Sequence, residues 1–211
     1  MVLELNGRSK KTTMSFLLSK EVTKHQQRVA NISKEFTLKL GHSKKDAAQI
    51  YLAALFHDIG KAKIDPKIYN KPGKLSEEEF KEIKKHPVES EYILKTLNMS
   101  EEIIKTVLYH HESYDGTGYP EGLKAEKIPY AARILKICDV YDALTNVRSY
   151  RSKPYTKDQA LRIMEKMKNQ FDEEIFNKFK IYINKKHNSS DEERRKIMKV
   201  NCLRRRKMSV S

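Results

Sequence analysis

Apolar residues recur at steps of three and four along most of this chain, which is the period of an amphipathic α-helix. One stripe runs through Val22, Val29, Phe36 and Leu40 and stops at Gly41, a residue that commonly ends helices. No segment stands out for the two-residue alternation of a half-buried strand, and no internal repeat is visible. The pattern therefore predicts an all-α protein.

Helix starts are marked by small polar residues followed three positions later by an acid or amide, and by prolines suited to a first helical turn. The predicted starts are Ser43 with Asp46, Ser76 with Glu79, His86-Pro87, Ser100, Pro129, and Thr156 with Gln159. A last short helix is predicted over about residues 173 to 184. Residues 112 to 128, rich in glycine, predict a long ordered loop, and such loops are usually functional.

Composition limits the class of protein. The chain has 211 residues, which favours one domain, and no apolar run approaches the ~20 residues of a membrane helix. The first twenty residues lack a signal-peptide core, so a cytoplasmic location is expected. Cys138 and Cys202 are too few for a disulfide framework, and Cys138 fits a buried reduced thiol.

The formal net charge of +15 favours an anionic partner such as a phosphate ester, nucleic acid or an acidic membrane face. Part of the excess lies near the C-terminus, in Arg194-Arg195-Lys196 and Arg204-Arg205-Arg206-Lys207. A solvated, flexible basic tail over residues 188–211 is the first interpretation. Contact of that tail with nucleic acid or a membrane is the alternative.

Candidate chemistry is concentrated in His57-Asp58, in His110-His111-Glu112, and in histidines at other predicted helix ends and faces. Five of the seven histidines are placed to bind metal: His25, His57, His86, His110 and His111. Glu21 and His25 share a helix face because they are four residues apart. A set of imidazoles and carboxylates fits iron or manganese better than it fits a zinc site, where thiolates are common ligands. A cavity between packed helices could therefore collect one metal centre.

An isolated histidine is more often a satisfied core or surface residue than a ligand, and His42 and His187 fit that description. The same interpretation is weak for His57, His110 and His111. Without partners, such polar groups next to apolar helix segments would cost about 1–3 kcal/mol each on burial.

The ordered set His57-Asp58, Gly60-Lys61, His110-His111-Glu112 and Gly118-Tyr119-Pro120 resembles the HD-GYP family, phosphodiesterases of the HD superfamily that act on cyclic di-GMP. The likeness extends from about Glu21 to Phe179. It implies an HD-type helical bundle with a metal site between helices. Residues 12–187 would form the catalytic domain, residues 1–11 an N-terminal extension and residues 188–211 the tail.

The resemblance implies a role for each matching position. Metal ligands would be Glu21, His25, His57, Asp58, His86, His110, His111 and Asp139. Asp58 would bridge two ions, Glu21 would serve a third, and Asp58 and Lys61 would be the catalytic pair. Phosphate and substrate contacts would come from Lys61, Arg148, Arg151 and the signature loop, which we define as Gly118, Tyr119 and Pro120. Departures from the family pattern at Ser90, Tyr114, Ala125 and Ser149 remove none of the ligands.

The implied reaction is in-line attack of a metal-bridging hydroxide on cyclic di-GMP, giving linear pGpG and, with a second cleavage, GMP. Two or three divalent ions, iron or manganese, would be the cofactors. Partner proteins are expected at the signature loop, and a homodimer is a common state for such proteins. The alternatives are another HD-superfamily nucleotide phosphohydrolase, a non-catalytic cyclic-dinucleotide sensor, and nucleic-acid binding through the basic tail.

Overall fold

A computed structural model describes residues 2–5, 12–15, 20–147, 151 and 153–186. Within these ranges the chain forms two short strands, three short 3-10 segments and nine α-helices. The strands are β1 (Val2–Leu5) and β2 (Thr12–Ser15), and the 3-10 segments are Ile59–Lys63, Ala125–Lys127 and Lys168–Gln170. The helices are α1 (Lys20–Lys39), α2 (Lys44–Phe56), α3 (Pro66–Tyr69), α4 (Glu77–Ile83), α5 (His86–Thr96), α6 (Glu101–Leu108), α7 (Tyr130–Thr145), α8 (Lys157–Lys166) and α9 (173–186).

The predicted helix starts are confirmed, three of them with complete capping boxes. At the head of α2, the Ser43 hydroxyl accepts a hydrogen bond from the Asp46 amide, and the Asp46 carboxylate accepts one from the Ser43 amide. The same reciprocal pair opens α4 and α8. Each box satisfies backbone N–H groups that a helix cannot pair internally. Local sequence therefore fixes where these helices begin.

The core lies where α1, α2, α5, α6, α7 and α9 pack together. Its large, fully buried side chains include Phe36, Ile93, Ile134, Leu135, Phe176 and Phe179. α1 packs along both α2 and α7, while α5 packs against the 3-10 segment that follows α2. This packing brings the first turns of α1, the ends of α2 and α6 and the middle of α7 to one side of the core.

The all-α prediction is confirmed for the helical body, although two small features were not predicted. β1 pairs antiparallel with β2, Val2 opposite Ser15, so the first strand lies in the predicted extension and the second in the predicted domain. α3 is a single turn, too short for a periodic apolar pattern. No helix among the described residues combines the length and apolar character needed to cross a bilayer.

The predicted ordered loop after α6 is packed tightly on itself. A Cβ at Gly118 would lie 2.2 Å from the Ser113 backbone nitrogen and 2.5 Å from Glu112 Cα. The buried Glu112 carboxylate accepts hydrogen bonds from the backbone amides of Glu121 and Gly122, at 2.7 and 3.0 Å. This close approach requires glycine at position 118. The hydrogen bonds to the buried Glu112 carboxylate hold the loop in its conformation.

Candidate metal centre

Seven of the eight predicted metal ligands converge at one place. His25 comes from α1, His57 and Asp58 follow α2, and His86 opens α5. His110 and His111 follow α6, and Asp139 lies in α7. All except His111, which is partly exposed, are buried. The ends of three helices and the faces of two others thus supply a single polar cluster beside the apolar core.

Asp58 lies at the middle of this cluster. Its Oδ2 atom is 3.4 Å from His57 Nε2 and 3.9 Å from His25 Nε2. Its Oδ1 atom is 3.3 Å from His86 Nε2. The two oxygens of one carboxylate therefore face two different groups of imidazoles, which is the geometry of a bridging ligand.

Two ligand groups are distinguishable on either side of Asp58. His25, His57 and Asp58 form the first cluster, and His86, His110 and His111 form the second. Within each cluster the donor atoms lie within 4.8 Å of one another. The Nε2 atoms of His86 and His110 face each other at 3.4 Å. Each cluster offers enough nitrogen and oxygen donors to hold a divalent ion.

Asp139 belongs with the first cluster. Its Oδ1 atom lies 2.9 Å from His25 Nε2 and 3.8 Å from His57 Nε2. Glu21 lies farther out, as an exposed residue on the wall of a cavity of about 250 Å³ that His25, Asp58 and Asp139 also line. Glu21 is in neither ligand cluster, so its role at a third metal stays a prediction.

Three of the histidines are oriented by the same device. The Nδ1 atoms of His57, His86 and His110 lie 2.6 to 2.7 Å from the carbonyl oxygen three residues earlier in the chain. A carbonyl only accepts hydrogen bonds, so each Nδ1 carries the proton and each Nε2 presents a lone pair to the cluster. His57 Nε2 is buried and has no hydrogen-bond partner. These donors fit a divalent metal, which would satisfy that orphaned nitrogen.

His25 is oriented by a carboxylate instead. Its Nδ1 donates to Asp142 Oδ2 at 2.7 Å, and Arg28 donates to both oxygens of the same carboxylate. No role at the site was predicted for Asp142. The structure shows that it joins α7 to α1 and sets the tautomer of a ligand histidine. Its position three residues after Asp139, on the same helix face, was the available signal.

The electrostatics of the cluster keep the imidazoles of His57, His86, His110 and His111 neutral and the carboxylates of Asp58 and Asp139 ionised. Burial lowers the pKa of His57 and lowers that of His86 to about 4, where Lys61 adds to the effect. Burial also holds the pKa values of His110 and His111 well below the usual range, helped by neighbouring imidazoles. Burial alone would raise the pKa of Asp58, but the Lys61 ammonium beside it holds that pKa well below normal. Neutral imidazoles and charged carboxylates are the forms that bind metal.

Lys61 lies beside the cluster, whereas Arg151, another predicted phosphate contact, is bound at the end of α7. Lys61 Nζ is 2.7 Å from Asp58 Oδ2 and lines the cavity. The Arg151 guanidinium instead donates to the Ala143, Leu144 and Asn146 carbonyls at the end of α7. Arg148 lies outside the described residues. The phosphate roles of both arginines stay predictions.

The signature loop lies behind His111, one of the predicted ligands. The Tyr119 ring stacks on the His111 ring, with centroids 4.8 Å apart and planes inclined by 26°. Gly118 packs on the backbone of Glu112 and Ser113, directly after His110 and His111. None of the three signature residues lines the cavity beside Asp58. Their predicted contact with substrate is therefore untested, while their contact with a ligand histidine is direct.

Comparison with known proteins places this arrangement in a family. The model of the HD domain matches residues 13–175. The chain belongs to the HD domain family. Among curated proteins, this HD domain is 42% identical over 129 residues to a cyclic di-GMP phosphodiesterase of Pseudomonas aeruginosa. It is 39% identical over 127 residues to a 3′3′-cGAMP-specific phosphodiesterase of Vibrio cholerae.

These matches cover 61% and 60% of the HD domain chain and 31% and 30% of the relatives. The chain thus spans about a third of the length of the curated relatives it matches. Among solved structures, an HDG"Y"P protein from Bdellovibrio bacteriovorus aligns with a TM-score of 0.65 at 21% identity, covering 77% of this chain and 52% of that one. That likeness is one of fold. The predicted HD-GYP resemblance and the HD-type bundle are both confirmed.

Proposed function

We propose that this HD domain is a metal-dependent phosphodiesterase that hydrolyses cyclic di-GMP to linear pGpG, with GMP as the product of a second cleavage. The observation that carries the proposal is Asp58, whose two carboxylate oxygens face two separate clusters of imidazoles. The names of the relatives support the substrate class, because both are phosphodiesterases of cyclic dinucleotides.

We assign His25, His57, Asp58 and Asp139 to one ion, and Asp58, His86, His110 and His111 to a second. Glu21 would contribute to a third ion at the rim of the cavity. Iron and manganese fit this mixed nitrogen and carboxylate set, which contains no thiolate. When bound, such ions would supply Lewis acidity toward a phosphodiester and lower the pKa of a coordinated water.

The chain itself contributes fixed positive charge and orientation. Lys61 lies beside Asp58, so its ammonium would be within reach of a phosphate oxygen held at an ion that Asp58 ligates. A fixed cation at that place would stabilise negative charge that develops on the phosphate during cleavage. Arg148 and Arg151 would hold the second phosphate of the substrate.

The hybrid dinucleotide 3′3′-cGAMP is a second candidate substrate, because one of the relatives is named for it. Both substrates present the same phosphodiester ring to the metal centre, and they differ in one purine. Selectivity between the two dinucleotides depends on the residues that line the cavity rather than on the metal ligands. Their relative kcat/KM values measure that choice directly.

Product analysis tests the proposal. The protein is purified without oxygen, its bound metals are quantified, and each cyclic dinucleotide is added before chromatographic separation of products. We expect pGpG or GMP with iron or manganese loaded, and none with Asp58→Asn, which keeps the shape but loses the charge. Circular dichroism of that variant must match the parent. No turnover of either dinucleotide by the metal-loaded parent would overturn the proposal and favour a non-catalytic sensor or another nucleotide substrate.

We infer that the protein works in the cytoplasm, that partner proteins bind at the signature loop, and that a homodimer forms. Nucleic acid would bind only through the basic tail, which lies outside the described residues. Salt-dependent gel shifts with and without residues 188–211 test that last inference.

A further inference from the structure

His111 is held differently from the other ligand histidines. His25, His57, His86 and His110 each have a ring nitrogen fixed by a hydrogen bond to a carboxylate or a carbonyl. Among the described residues, no hydrogen bond reaches either ring nitrogen of His111. Ligand histidines usually need such a partner to fix the ring. Something else must therefore orient His111.

The main chain of His111 is where three parts of the fold meet. Its carbonyl oxygen accepts a hydrogen bond from Lys136 Nζ at 3.3 Å and another from the Tyr119 amide at 3.4 Å. The Tyr119 ring also stacks on the His111 ring. Lys136 comes from α7, one turn before Asp139. The turn after α6 is thus tied to the signature loop and to α7 through one oxygen atom.

Lys136 is an unusual residue to find at this place. It is 8% exposed, and burial lowers its pKa to about 8. The carboxylates of Asp139, Glu112 and Asp115 are near enough to favour its charged form. Burying a lysine is costly unless its ammonium is hydrogen-bonded and its charge is compensated. The Lys136 ammonium is hydrogen-bonded and its charge is compensated by carboxylates, which indicates a specific role for this long side chain.

We propose that Lys136 is a positioning residue for the metal centre, holding the His111 turn in place through the main chain because the ring lacks a hydrogen bond of its own. The inference rests on the proposed metal centre. It makes a selective prediction, since Lys136 donates a hydrogen bond to a residue of the second cluster (His86, His110 and His111), whereas its interaction with Asp139 of the first cluster is one of charge alone. Loss of Lys136 should weaken the second metal site more than the first.

The test is a titration of the metal-free protein with Co²⁺, followed by calorimetry and by visible absorption, which reports the ligand geometry. Lys136→Met keeps the length of the side chain and removes its charge and donors. We expect two sites in the parent, and in this variant a 10–100-fold weaker affinity at one of them, as is typical when a partner behind a ligand is lost. Lys136→Arg, which can still donate to the carbonyl, should recover most of the affinity. Lys127→Met, an exposed lysine just before α7, is the matched control and should change nothing.

The outcomes separate the inference from the metal centre it depends on. A parent that binds no Co²⁺ would overturn both. Two sites of unchanged affinity in Lys136→Met would overturn the inference and leave the metal centre intact. An equal weakening of both sites, or a melting temperature that falls in Lys136→Met and is not restored by Lys136→Arg, would show a general structural role and would also overturn it.

Discussion

At the scale of single residues, the groups behind the ligands decide how well the ligands bind. Asp142 is fully buried and accepts hydrogen bonds from His25 and Arg28. Asp142→Asn keeps the shape, but it removes the negative charge and presents one oxygen where there were two. We expect metal affinity to fall by about 10–100-fold, the usual effect of altering such a partner. Calorimetric titration of the metal-free variant measures this.

Asp158→Asn is a suitable control for that variant, because Asp158 is exposed in the first turn of α8, a helix that carries none of the predicted ligands. It should bind metal like the parent. Equal affinities in all three proteins would mean that His25 is oriented without its carboxylate partner. They would also mean that Asp142 only anchors Arg28.

Gly60 is a second residue whose identity is imposed by the site. A Cβ there would lie 2.1 Å from the His86 carbonyl oxygen and 2.6 Å from the Ser90 backbone nitrogen. Gly60→Ala must therefore push α5, and His86 with it, away from Asp58. We expect a lower melting temperature and weaker metal binding, because overpacking costs about 1–3 kcal/mol and displaces a ligand.

Gly41→Ala provides the comparison for this change. Gly41 has a φ of +89° but nothing within 4 Å of its Cβ position, so alanine there carries backbone strain of about 1–2 kcal/mol without a clash. It should lower the melting temperature and leave metal affinity unchanged. Metal affinity preserved in Gly60→Ala would show that α5 can move without disturbing the site.

At the scale of helices and loops, the sequence predicted the features that depend on contacts between residues a few positions apart in the chain. The capping boxes at Ser43, Ser76 and Thr156 lie within four residues of chain and were visible. Contacts such as those of Ser90 and Lys136 join segments 25 to 33 residues apart, and no sequence period records them. The β1–β2 pair was missed because two four-residue strands carry too little alternation to stand out.

Ser90 joins two elements that carry ligands. Its hydroxyl donates to the His57 carbonyl at 3.1 Å and accepts from the Gly60 amide at 2.8 Å, tying α5 to the end of α2. Ser90→Ala leaves both buried backbone groups without that partner, which costs about 1–3 kcal/mol. We expect reduced stability toward urea and weaker metal binding together, since His57 and His86 lie at the two ends of this connection.

A matched control removes a buried hydroxyl whose hydrogen bond stays within one helix. Thr106 is buried, and its hydroxyl donates to the Glu102 carbonyl one turn earlier within α6. Thr106→Val keeps the shape and should change stability less, with no effect on metal affinity. Similar losses of metal affinity in both variants would contradict the role we give to Ser90.

At the scale of the whole molecule, the metal site was more predictable than the phosphate contacts. Seven of the predicted ligands lie together because the His57-Asp58 and His110-His111 pairs follow helices, and packing brings those helix ends next to His25, His86 and Asp139. Arg151 was predicted on the substrate, whereas in this structure it binds the carbonyls that end α7. Long cationic side chains reach many acceptors, so sequence position alone does not choose among them. Short ligands on rigid helix ends have fewer alternatives.

The same cluster sets how stability depends on pH when metal is removed by a chelator. Folded His86 has a pKa of about 4, lowered mainly by burial, whereas an unfolded histidine titrates near 6.5. Between these values the unfolded chain binds more protons, so the free energy of unfolding falls as the pH falls. Each such histidine contributes up to about 1.4 kcal/mol per pH unit in that window. Asp58 and Asp139, with lowered pKa values, act in the same direction at lower pH.

We therefore expect the urea midpoint of the metal-free protein to decrease steadily from pH 7 to pH 5. His86→Gln, which cannot be protonated, should give a shallower slope over that range even if its stability at pH 7 is lower. A midpoint independent of pH between 7 and 5 would mean that these histidines are not held neutral in the folded protein. The arrangement of neutral imidazoles around Asp58, which makes the cluster ready for metal at neutral pH, would then need to be revised.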